Sequence, residues 1–379
     1  MLIARIAYYL STKRCGVKNP ALSIIVPAYN SEGYIGETLH SLLNQTFADF
    51  ELIVIDNAST DMTTDIVASF DDSRIRLLRN AQNMGVAYSA NRGIKEAKGK
   101  YMARADADDL YPTHRLQLQW SFMEANPDIT AVSSSLRYIG ARDGVQPLPV
   151  NHDAIKAHLL FYTSLAQPVV MLRRDFFIAN NIRYDESKSF PEDYELWMRM
   201  AHEHGARFAN IAEPLIHYRV HQTSMSNTKS EYAQAAVTRV QERRLHAWGL
   251  APDAEDMRLH SLLCSGFGTR DAETVDAAYR WLLRLEEANR VRPEYAHDPW
   301  QAILSLQFLK VVGANLHMGP KLCRRLATFP GFHFLGLGRA FMEELFETAI
   351  RHAAANEVRS PVSGYAATLQ QQENDQRLP

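Results

Sequence analysis

The chain has 379 residues, 46% of them hydrophobic and 22% charged, with a formal net charge of −2. This length allows roughly two domains of ordinary size. The near-neutral charge and the absence of basic tracts argue against nucleic acid as a partner. The three cysteines, Cys15, Cys264 and Cys323, are far apart and form no metal or redox motif, which suits a reducing cytosol. We therefore expect a cytoplasmic protein.

Two apolar stretches bear on membrane association. Residues 1–10 are apolar but interrupted by Arg5, and they are too short for a membrane span. Residues 300–316 form the longest apolar run, yet Gln301, Gln307 and Lys310 punctuate it, which predicts a core helix. The mixture of basic and aromatic residues over 321–341 is also compatible with peripheral contact to an anionic membrane, although packing onto the rest of the protein is the favoured interpretation.

Strand-like and helix-like segments alternate in the first part of the chain. Short apolar runs predict strands, and the segments between them place apolar residues at helical spacing. The predicted strands cover 22–26, 50–55, 74–78 and 101–104, and the clearest helix between them covers 33–43. This order predicts an α/β fold, a mostly parallel sheet flanked by helices, whose ligands lie beyond the carboxyl ends of the strands.

Three polar clusters follow the predicted strands. They are residues 27–30, residues 56–57 and the acidic run Arg104-Ala105-Asp106-Ala107-Asp108-Asp109. Three carboxylates within four positions after a strand can hold Mg²⁺ or Mn²⁺ together with substrate phosphates. The alternative is a solvated acidic turn in which Asp109 caps a helix beginning near Pro112. Convergence of all three clusters on one sheet edge favours a binding site.

The motifs that carry these clusters resemble family 2 glycosyltransferases. The resemblance covers roughly residues 20–227, and the motifs occur in the family's order and spacing. They are Ile-Val-Pro-Ala-Tyr-Asn (25–30), Ile-Asp-Asn-Ala-Ser-Thr-Asp (55–61), Asn-Met-Gly-Val-Ala (83–87) with Asn91-Arg92-Gly93, the acidic run, Pro-Glu-Asp-Tyr-Glu-Leu-Trp (191–197) and His-Tyr-Arg-Val-His (217–221). The resemblance implies a GT-A fold, a nucleotide-diphosphate sugar donor, a divalent cation and inversion at the anomeric carbon.

The resemblance also implies roles for individual residues in donor and metal binding. Pro27, Tyr29 and Asn57 would line the nucleobase pocket, with Tyr29 stacking on the base. Asn57 stands where many relatives carry a second Asp, which leaves the identity of the base open. The remaining positions are assigned to donor binding (Asn91, Arg104, Asp106, Arg219) and to the metal, Mn²⁺ or Mg²⁺ (Asp108, Asp106, His221).

A second pair of carboxylates, Glu192 and Asp193, follows Pro191 at the start of a predicted amphipathic helix. By its position alone, either residue could merely complement the helix dipole. The resemblance places Asp193 at the family's general base, which takes the proton of the acceptor hydroxyl as that oxygen attacks the sugar. Residues 222–227, a polar run after the His217–His221 motif, are predicted to form a mobile flap over the donor.

Strand signals end beyond residue 227, and helical patterns cover 230–248, 269–289 and 339–352. We therefore predict an N-terminal extension (1–19), a GT-A catalytic domain (20–227), a C-terminal α-helical accessory domain (228–354) and a disordered tail (355–379). The sequence of the accessory domain shows no group of residues typical of a catalytic site. Its expected roles are acceptor binding, oligomerisation or membrane docking, and the sequence does not indicate an oligomeric state.

The resulting hypothesis is an inverting glycosyltransferase that transfers a sugar to a hydroxyl of a glycan or lipid-linked acceptor. The expected setting is the synthesis of capsule, exopolysaccharide or lipopolysaccharide, in the cytoplasm or at the inner face of the cell membrane. A sugar-nucleotide nucleotidyltransferase is disfavoured because residues 27–30 offer no glycine-rich basic phosphate loop. A non-catalytic nucleotide-sugar-binding scaffold is disfavoured by the intact set of Asp106, Asp108 and Asp193.

Overall fold

The computed structural model describes residues 19–187, 191–221, 231–337 and 339–355. The strands are β1 (Leu22–Ala28), β2 (Phe50–Asp56), β3 (Ile75–Arg79), β4 (Tyr101–Arg104), β5 (Ala131–Ser134), β6 (Leu136–Gly140), β7 (Gly144–Gln146), β8 (Met171–Arg173), β9 (Phe208–Ile211) and β10 (His217–Val220).

The α-helices fall into two groups along the chain. Those interleaved with the strands are α1 (Ile35–Leu43), α2 (Thr63–Ala68), α3 (Val86–Glu96), α4 (Arg115–Ala125), α5 (His152–Leu159), α6 (Arg174–Ala179) and α7 (Glu192–Glu203). Those after the last strand are α8 (Glu231–Trp248), α9 (Ala254–Ser265), α10 (Ala272–Val291), α11 (His297–Ala314), α12 (Pro320–Ala327) and α13 (Arg339–Ala355).

A seven-stranded sheet with the order β3-β2-β1-β4-β8-β5-β9 forms the centre of the fold. The first four of these strands are mutually parallel, β8 is antiparallel to β4 and β5, and β9 is parallel to β5. A second sheet has the order β10-β6-β7. The parallel half is the part that the alternating sequence pattern predicts, and it sends the ends of β1, β2 and β4 to one edge.

The parallel strands are buried on both faces, and the helices pack closely against them. Every residue of β2 is buried, as expected for a strand covered by helices on each side. Gly93 of α3 lies so close to the sheet that a Cβ there would be 2.3 Å from Cγ2 of Ile25. A Cβ on Gly99 would lie 2.6 Å from the backbone of Leu22 and Ser23. Glycine is required at both positions because the backbone itself makes the contact.

The C-terminal helices share a hydrophobic core with the sheet-bearing part. Ala157, Leu160 and Phe161, at the end of α5 and just beyond it, are buried in the same cluster as residues of α8 to α13. The bounds confirm the predicted helices of this region. Among the described residues, no helix is both long and apolar enough to span a membrane.

Glu294, in the loop between α10 and α11, joins three helices at this boundary. Its Oε1 lies 2.9 Å from Nζ of Lys156 on α5 and 3.0 Å from Nδ1 of His202 on α7. Its Oε2 lies 2.9 Å from Nη2 of Arg244 on α8. These cations and hydrogen bonds outweigh burial and lower the pKa of Glu294 to about 2. We call this group of four residues the Glu294 junction.

The helix cap considered for Asp109 is wrong. Helix α4 begins at Arg115 rather than near Pro112, and it has no side-chain cap. Asp109 instead accepts a hydrogen bond from the backbone N–H of Arg219. Likewise α2 has no side-chain cap, and the Ser59 hydroxyl accepts from the N–H of Asn30. In both cases the polar side chain bonds a residue that is distant in sequence instead of capping the helix.

The predicted domain boundaries remain predictions. The predicted flap at 222–227, the N-terminal extension and nearly all of the predicted tail lie outside the described residues. Helices α5 and α9 were not predicted. The start of α9 carries a capping box between Asp253 and Asp256, a sequence signal that could have located it.

Candidate active site

Two loops at the ends of β1 and β2 are joined by hydrogen bonds that fix one wall of the site. The N–H of Ser31 donates to Oγ1 of Thr63 at 2.7 Å, and the N–H of Thr60 donates to Oδ1 of Asn30 at 2.9 Å. Asn30 and Ala58 both have positive φ, 45° and 63°. Such conformations are costly for a residue with a Cβ and are concentrated at functional sites. Tyr29 projects from this wall with 46% of its surface exposed, and Pro27, two positions before it, is the one residue of β1 that is only partly buried.

The side chain of Asn57 is buried, and both its amide oxygen and its amide nitrogen form hydrogen bonds within the protein. Its Oδ1 accepts from Nδ2 of Asn80 at 2.9 Å and from the N–H of Met84 at 3.0 Å. Its Nδ2 donates to Oδ1 of Asn83 at 2.8 Å. An amide oxygen has two acceptor positions, and both are used within the protein. Asn57 therefore holds the 80–84 loop against the end of β2.

The acidic run begins with a buried charge pair. Arg104 is only 1% exposed, and its Nη2 lies 3.2 Å from Oδ1 of Asp106. The N–H of Asp106 donates to the hydroxyl of Tyr111 at 2.8 Å. Burial is the largest influence on Asp106 and, with the charges of Asp108 and Glu192, raises its pKa to about 6 against the opposing effect of Arg104. The charges of both Asp108 and Glu192 therefore act on Asp106.

Asp108 meets the end of β10. Its Oδ2 lies 2.9 Å from Nε2 of His221, and its carbonyl accepts from Nε of Arg219 at 2.8 Å. The ring of Tyr34 stacks on His221 with centroids 4.8 Å apart. With 32% of its side chain exposed, Asp108 faces solvent, whereas its neighbour Asp109 is 1% exposed. The structure therefore brings together Asp108, Arg219 and His221, as the motif assignments require.

Glu37 and Asp109 complete the environment of Arg219. Nη2 of Arg219 lies 2.7 Å from Oε2 of Glu37, and its N–H donates to Oδ1 of Asp109 at 2.7 Å. Burial, and then the charges of Asp106 and Asp108, raise the pKa of Asp109 well above its ordinary value. Arg219 therefore ties the acidic loop, α1 and β10 together, and its guanidinium lies at the rim of the site.

Glu192 and Asp193 begin α7 and face the acidic run. The N–H of Tyr194 donates to Oδ1 of Asp193 at 2.7 Å. Burial first, then the charge of Glu192 and, more weakly, that of Asp106, raise the pKa of Asp193 to about 7. Nε2 of Gln167 donates to Oε1 of Glu192 at 3.4 Å. A half-buried carboxylate with a pKa near neutrality is suited to accept a proton at physiological pH.

In the described part of the chain, the side chain of Asn91 bonds Tyr184 and Glu186 rather than the other predicted donor-binding residues. Its Nδ2 donates to the carbonyl of Tyr184 at 2.9 Å and to Oε1 of Glu186 at 2.7 Å. Its Oδ1 accepts from the N–H of Tyr184 at 2.9 Å. Asn91 therefore holds Tyr184 and Glu186 in place.

Sequence reasoning missed several residues at this edge, namely Tyr34, Glu37, Tyr111, Gln167 and Tyr184. Their contacts join positions that are distant in sequence, such as Glu37 with Arg219, so no local spacing marks them. Tyr111 is the exception, because a buried aromatic immediately after an acidic run can cover that run, and its hydroxyl does so.

The whole arrangement is an α/β sheet edge with two acidic centres. Comparisons with known proteins show which family the chain belongs to. The family model for glycosyl transferase family 2 matches residues 23–200. Among relatives, the Escherichia coli UDP-Glc:alpha-D-GlcNAc-diphosphoundecaprenol beta-1,3-glucosyltransferase WfaP is 35% identical over 219 residues, covering 55% of this chain and 80% of the relative. The E. coli enzyme WfgD, with the same described activity, is 32% identical over 212 residues, with coverages of 55% and 80%.

The chain therefore belongs to glycosyl transferase family 2 and is a glycosyltransferase. Its fold is confirmed by a solved structure, S. aureus TarS 1-349 in complex with UDP-GlcNAc. The TM-score is 0.53 at 18% identity, over 86% of this chain and 91% of that one. This likeness confirms the predicted GT-A fold with a C-terminal helical region.

Proposed function

We propose that this glycosyltransferase inverts the anomeric carbon as it moves a hexose from a uridine diphosphate sugar to a hydroxyl of a diphosphate-linked lipid acceptor. The observation that supports the proposal most strongly is the proximity of Asp193 to Asp106, whose charge contributes to the raised pKa of Asp193. Two carboxylate centres at one sheet edge can serve separate functions, one toward the donor and one toward the acceptor.

Asp193 is the general base in this proposal. The backbone N–H of Tyr194 holds one carboxylate oxygen at 2.7 Å, which fixes the orientation of the group, and the other oxygen takes the proton of the acceptor hydroxyl. As this proton leaves, the hydroxyl oxygen attacks the anomeric carbon from the face opposite the departing diphosphate. The bond from that carbon to the diphosphate breaks, and inversion results.

The donor lies along the wall formed by the 29–33 and 58–63 loops. Tyr29 stacks on the base beside Pro27, since its ring is exposed and its backbone is fixed by the cross-linked loops. Asn57 acts on the base through the 80–84 loop, because its amide oxygen already accepts two hydrogen bonds within the protein. Arg219 faces the diphosphate. Arg104, fully buried, acts by balancing the charge of Asp106.

The side chains of Asp108, Asp106 and His221 fit a divalent cation. They offer carboxylate oxygens and an imidazole nitrogen, a mixed donor set that Mn²⁺ accepts. Among the described residues no three His, Cys, Asp or Glu side chains are grouped closely enough to hold a metal, so substrate phosphates would have to supply part of the coordination. When bound, the cation would offset negative charge on the departing diphosphate.

The acceptor class is proposed from the relatives. WfaP and WfgD are both described as acting on GlcNAc-diphosphoundecaprenol with UDP-glucose. A diphosphate-linked lipid acceptor would place this enzyme at the cytoplasmic face of the membrane, in the synthesis of a cell-surface polysaccharide.

The test uses the full chain with Mn²⁺, UDP-glucose and a short-chain alkyl diphospho-N-acetylglucosamine. We expect release of UDP that depends on the acceptor and a disaccharide product with a β-linkage by NMR. An α-linked product would refute inversion. UDP-dependent thermal stabilisation without transfer to any acceptor, across a panel of nucleotide sugars, would instead indicate a binding protein.

A further inference from the structure

A partly buried polar cluster lies between the end of α5 and helices α9 and α11, away from the residues assigned above. It consists of His158, Tyr162, Cys264, Gln307 and Lys310, and we call it the Lys310 cluster. Nζ of Lys310 lies 4.8 Å from the centre of the Tyr162 ring. The ring of His158 packs edge-on against the same tyrosine, with centroids 5.4 Å apart.

The cluster contains a positive charge without a counter-ion. Burial is the main cause that lowers the pKa of Lys310, and in the described part of the chain no carboxylate opposes this effect. Burial, followed by the charge of Lys310, lowers the pKa of His158 to about 3, so this imidazole is neutral near pH 7. A buried cation is normally paired with a carboxylate. The protein therefore tolerates an unbalanced charge here.

Two further nitrogen atoms of the cluster have no partner among the described residues. Gln307 is 0% exposed; its side chain interacts with the Tyr162 hydroxyl, and its Nε2 still has an N–H without a partner among the described residues. Nδ1 of His158 is buried and equally unpaired. Lys310 donates a long hydrogen bond of 3.5 Å to Oε1 of Gln307. Buried polar groups without partners call for a ligand, an ion or a water, and N–H donors beside a cation favour an oxyanion.

The cluster lies on the side of the catalytic base. The Tyr194 hydroxyl, next to Asp193 in the chain, donates to the carbonyl of Leu159 at 2.6 Å, immediately before the turn that carries Tyr162. The same turn runs on to Gln167, which bonds Glu192. Because the base faces the acceptor, a ligand in this cluster would belong to the acceptor.

We propose that the Lys310 cluster binds a phosphate group of the acceptor, with Lys310 and Gln307 as hydrogen-bond donors. The inference rests on the proposed function, because it assumes an acceptor linked through a diphosphate. It assigns part of the acceptor site to the C-terminal helices, and it explains why a lysine is kept in a largely apolar interface without a carboxylate.

The first experiment separates the acceptor phosphate from the acceptor sugar. For the full chain, Lys310→Met should raise KM for alkyl diphospho-N-acetylglucosamine by about 10-fold, the scale of one charge-assisted hydrogen bond. KM for alkyl N-acetylglucosaminide, which lacks phosphate, and KM for UDP-glucose should change less than twofold. Lys310→Arg, which keeps the positive charge, should retain most of the wild-type preference for the acceptor that carries phosphate. Equal changes for both acceptors, or none, would overturn the proposal.

The second experiment needs no turnover and so stays informative if the proposed acceptor is wrong. In EDTA, inorganic phosphate should raise the Tm of the wild-type chain more than that of Lys310→Met. The matched control Lys321→Met removes an exposed lysine of the same helical region and should respond like the wild type. Without phosphate, Lys310→Met should melt at a higher temperature, because it removes an unpaired buried charge. Identical phosphate responses in all three proteins would refute the site.

Discussion

The two acidic centres of the site are built from the same residue type but held in opposite ways. The carboxylate of Asp108 is partly exposed and lies 2.9 Å from Nε2 of His221, while its backbone carbonyl accepts from Nε of Arg219. Asp193 is half-buried, and its strongest charged influence is another carboxylate, Glu192. A partly exposed carboxylate beside an imidazole is free to share in binding a cation, whereas burial beside a like charge gives a carboxylate that accepts protons. The surroundings therefore divide the chemistry between the two centres.

The largest expected effect comes from removing the proton acceptor. Asp193→Asn keeps the size and the hydrogen bond to the Tyr194 N–H, but it cannot take a proton. Turnover should fall roughly 10²- to 10⁴-fold, the range of general-base catalysis, with donor affinity unchanged. Steady-state kinetics and donor titration measure the two quantities. Glu192→Gln is the matched control and should be milder; a dead Glu192→Gln beside a near-normal Asp193→Asn would exchange their roles.

The second prediction concerns the other centre. Asp108→Ala should lower turnover on the order of 10²- to 10³-fold, as the loss of one electrostatic contact to a developing charge does. Unlike Asp193→Asn, it should also weaken Mn²⁺-dependent donor binding, which calorimetry with and without EDTA would show. Asp128→Ala, which removes a surface carboxylate paired with Arg207, serves as the control. Full activity of Asp108→Ala, or of the wild type in EDTA, would contradict the metal assignment.

The third prediction uses the pH dependence of Asp193. Because its pKa is raised to about 7 and only the ionised form is a base, kcat should fall about tenfold from pH 8 to pH 6. Stability should change in the opposite direction. The folded state holds this proton more tightly than the unfolded chain, so the unfolding free energy contributed by the group decreases as pH rises from about 4 to about 7.

Asp193→Asn isolates this pH effect. It should remove the acid limb of the rate profile and stabilise the protein at pH 8 relative to wild type, measured by Tm across a pH series. A wild-type rate that is flat between pH 6 and pH 8 would show that the two centres are not electrostatically distinct.

The smallest expected effect concerns the donor wall. Tyr29→Ala should raise the donor Kd about fivefold, because an aromatic stacking contact contributes on the order of 1 kcal/mol. Met62→Ala, a change at another exposed apolar residue of the same wall, should leave the donor Kd unchanged. Isothermal titration with UDP and with UDP-glucose tests both variants. Equal donor affinities of Tyr29→Ala and the wild type would show that the nucleobase binds elsewhere.

The sequence predicted the parallel half of the sheet well because buried parallel strands appear as continuous apolar runs, as in Phe50–Asp56. The family resemblance implied that Arg219 and His221 lie near the metal centre of Asp108, and the structure brings these three residues together. The sequence could not reveal that the amide oxygen of Asn57 already accepts two hydrogen bonds within the protein. Nor could it show that Asp109 bonds Arg219 rather than a helix, because those contacts depend on how distant segments pack.

The Glu294 junction has a consequence for modularity. A chain cut near residue 228 would lose Glu294 and Arg244, leaving Lys156 without its acceptor and exposing the apolar face of Leu160 and Phe161. The C-terminal helices therefore cannot be replaced by those of another protein while the sheet-bearing part is left unchanged. Swapping it between relatives to change the acceptor should succeed only when α5 and α7 are exchanged together with it.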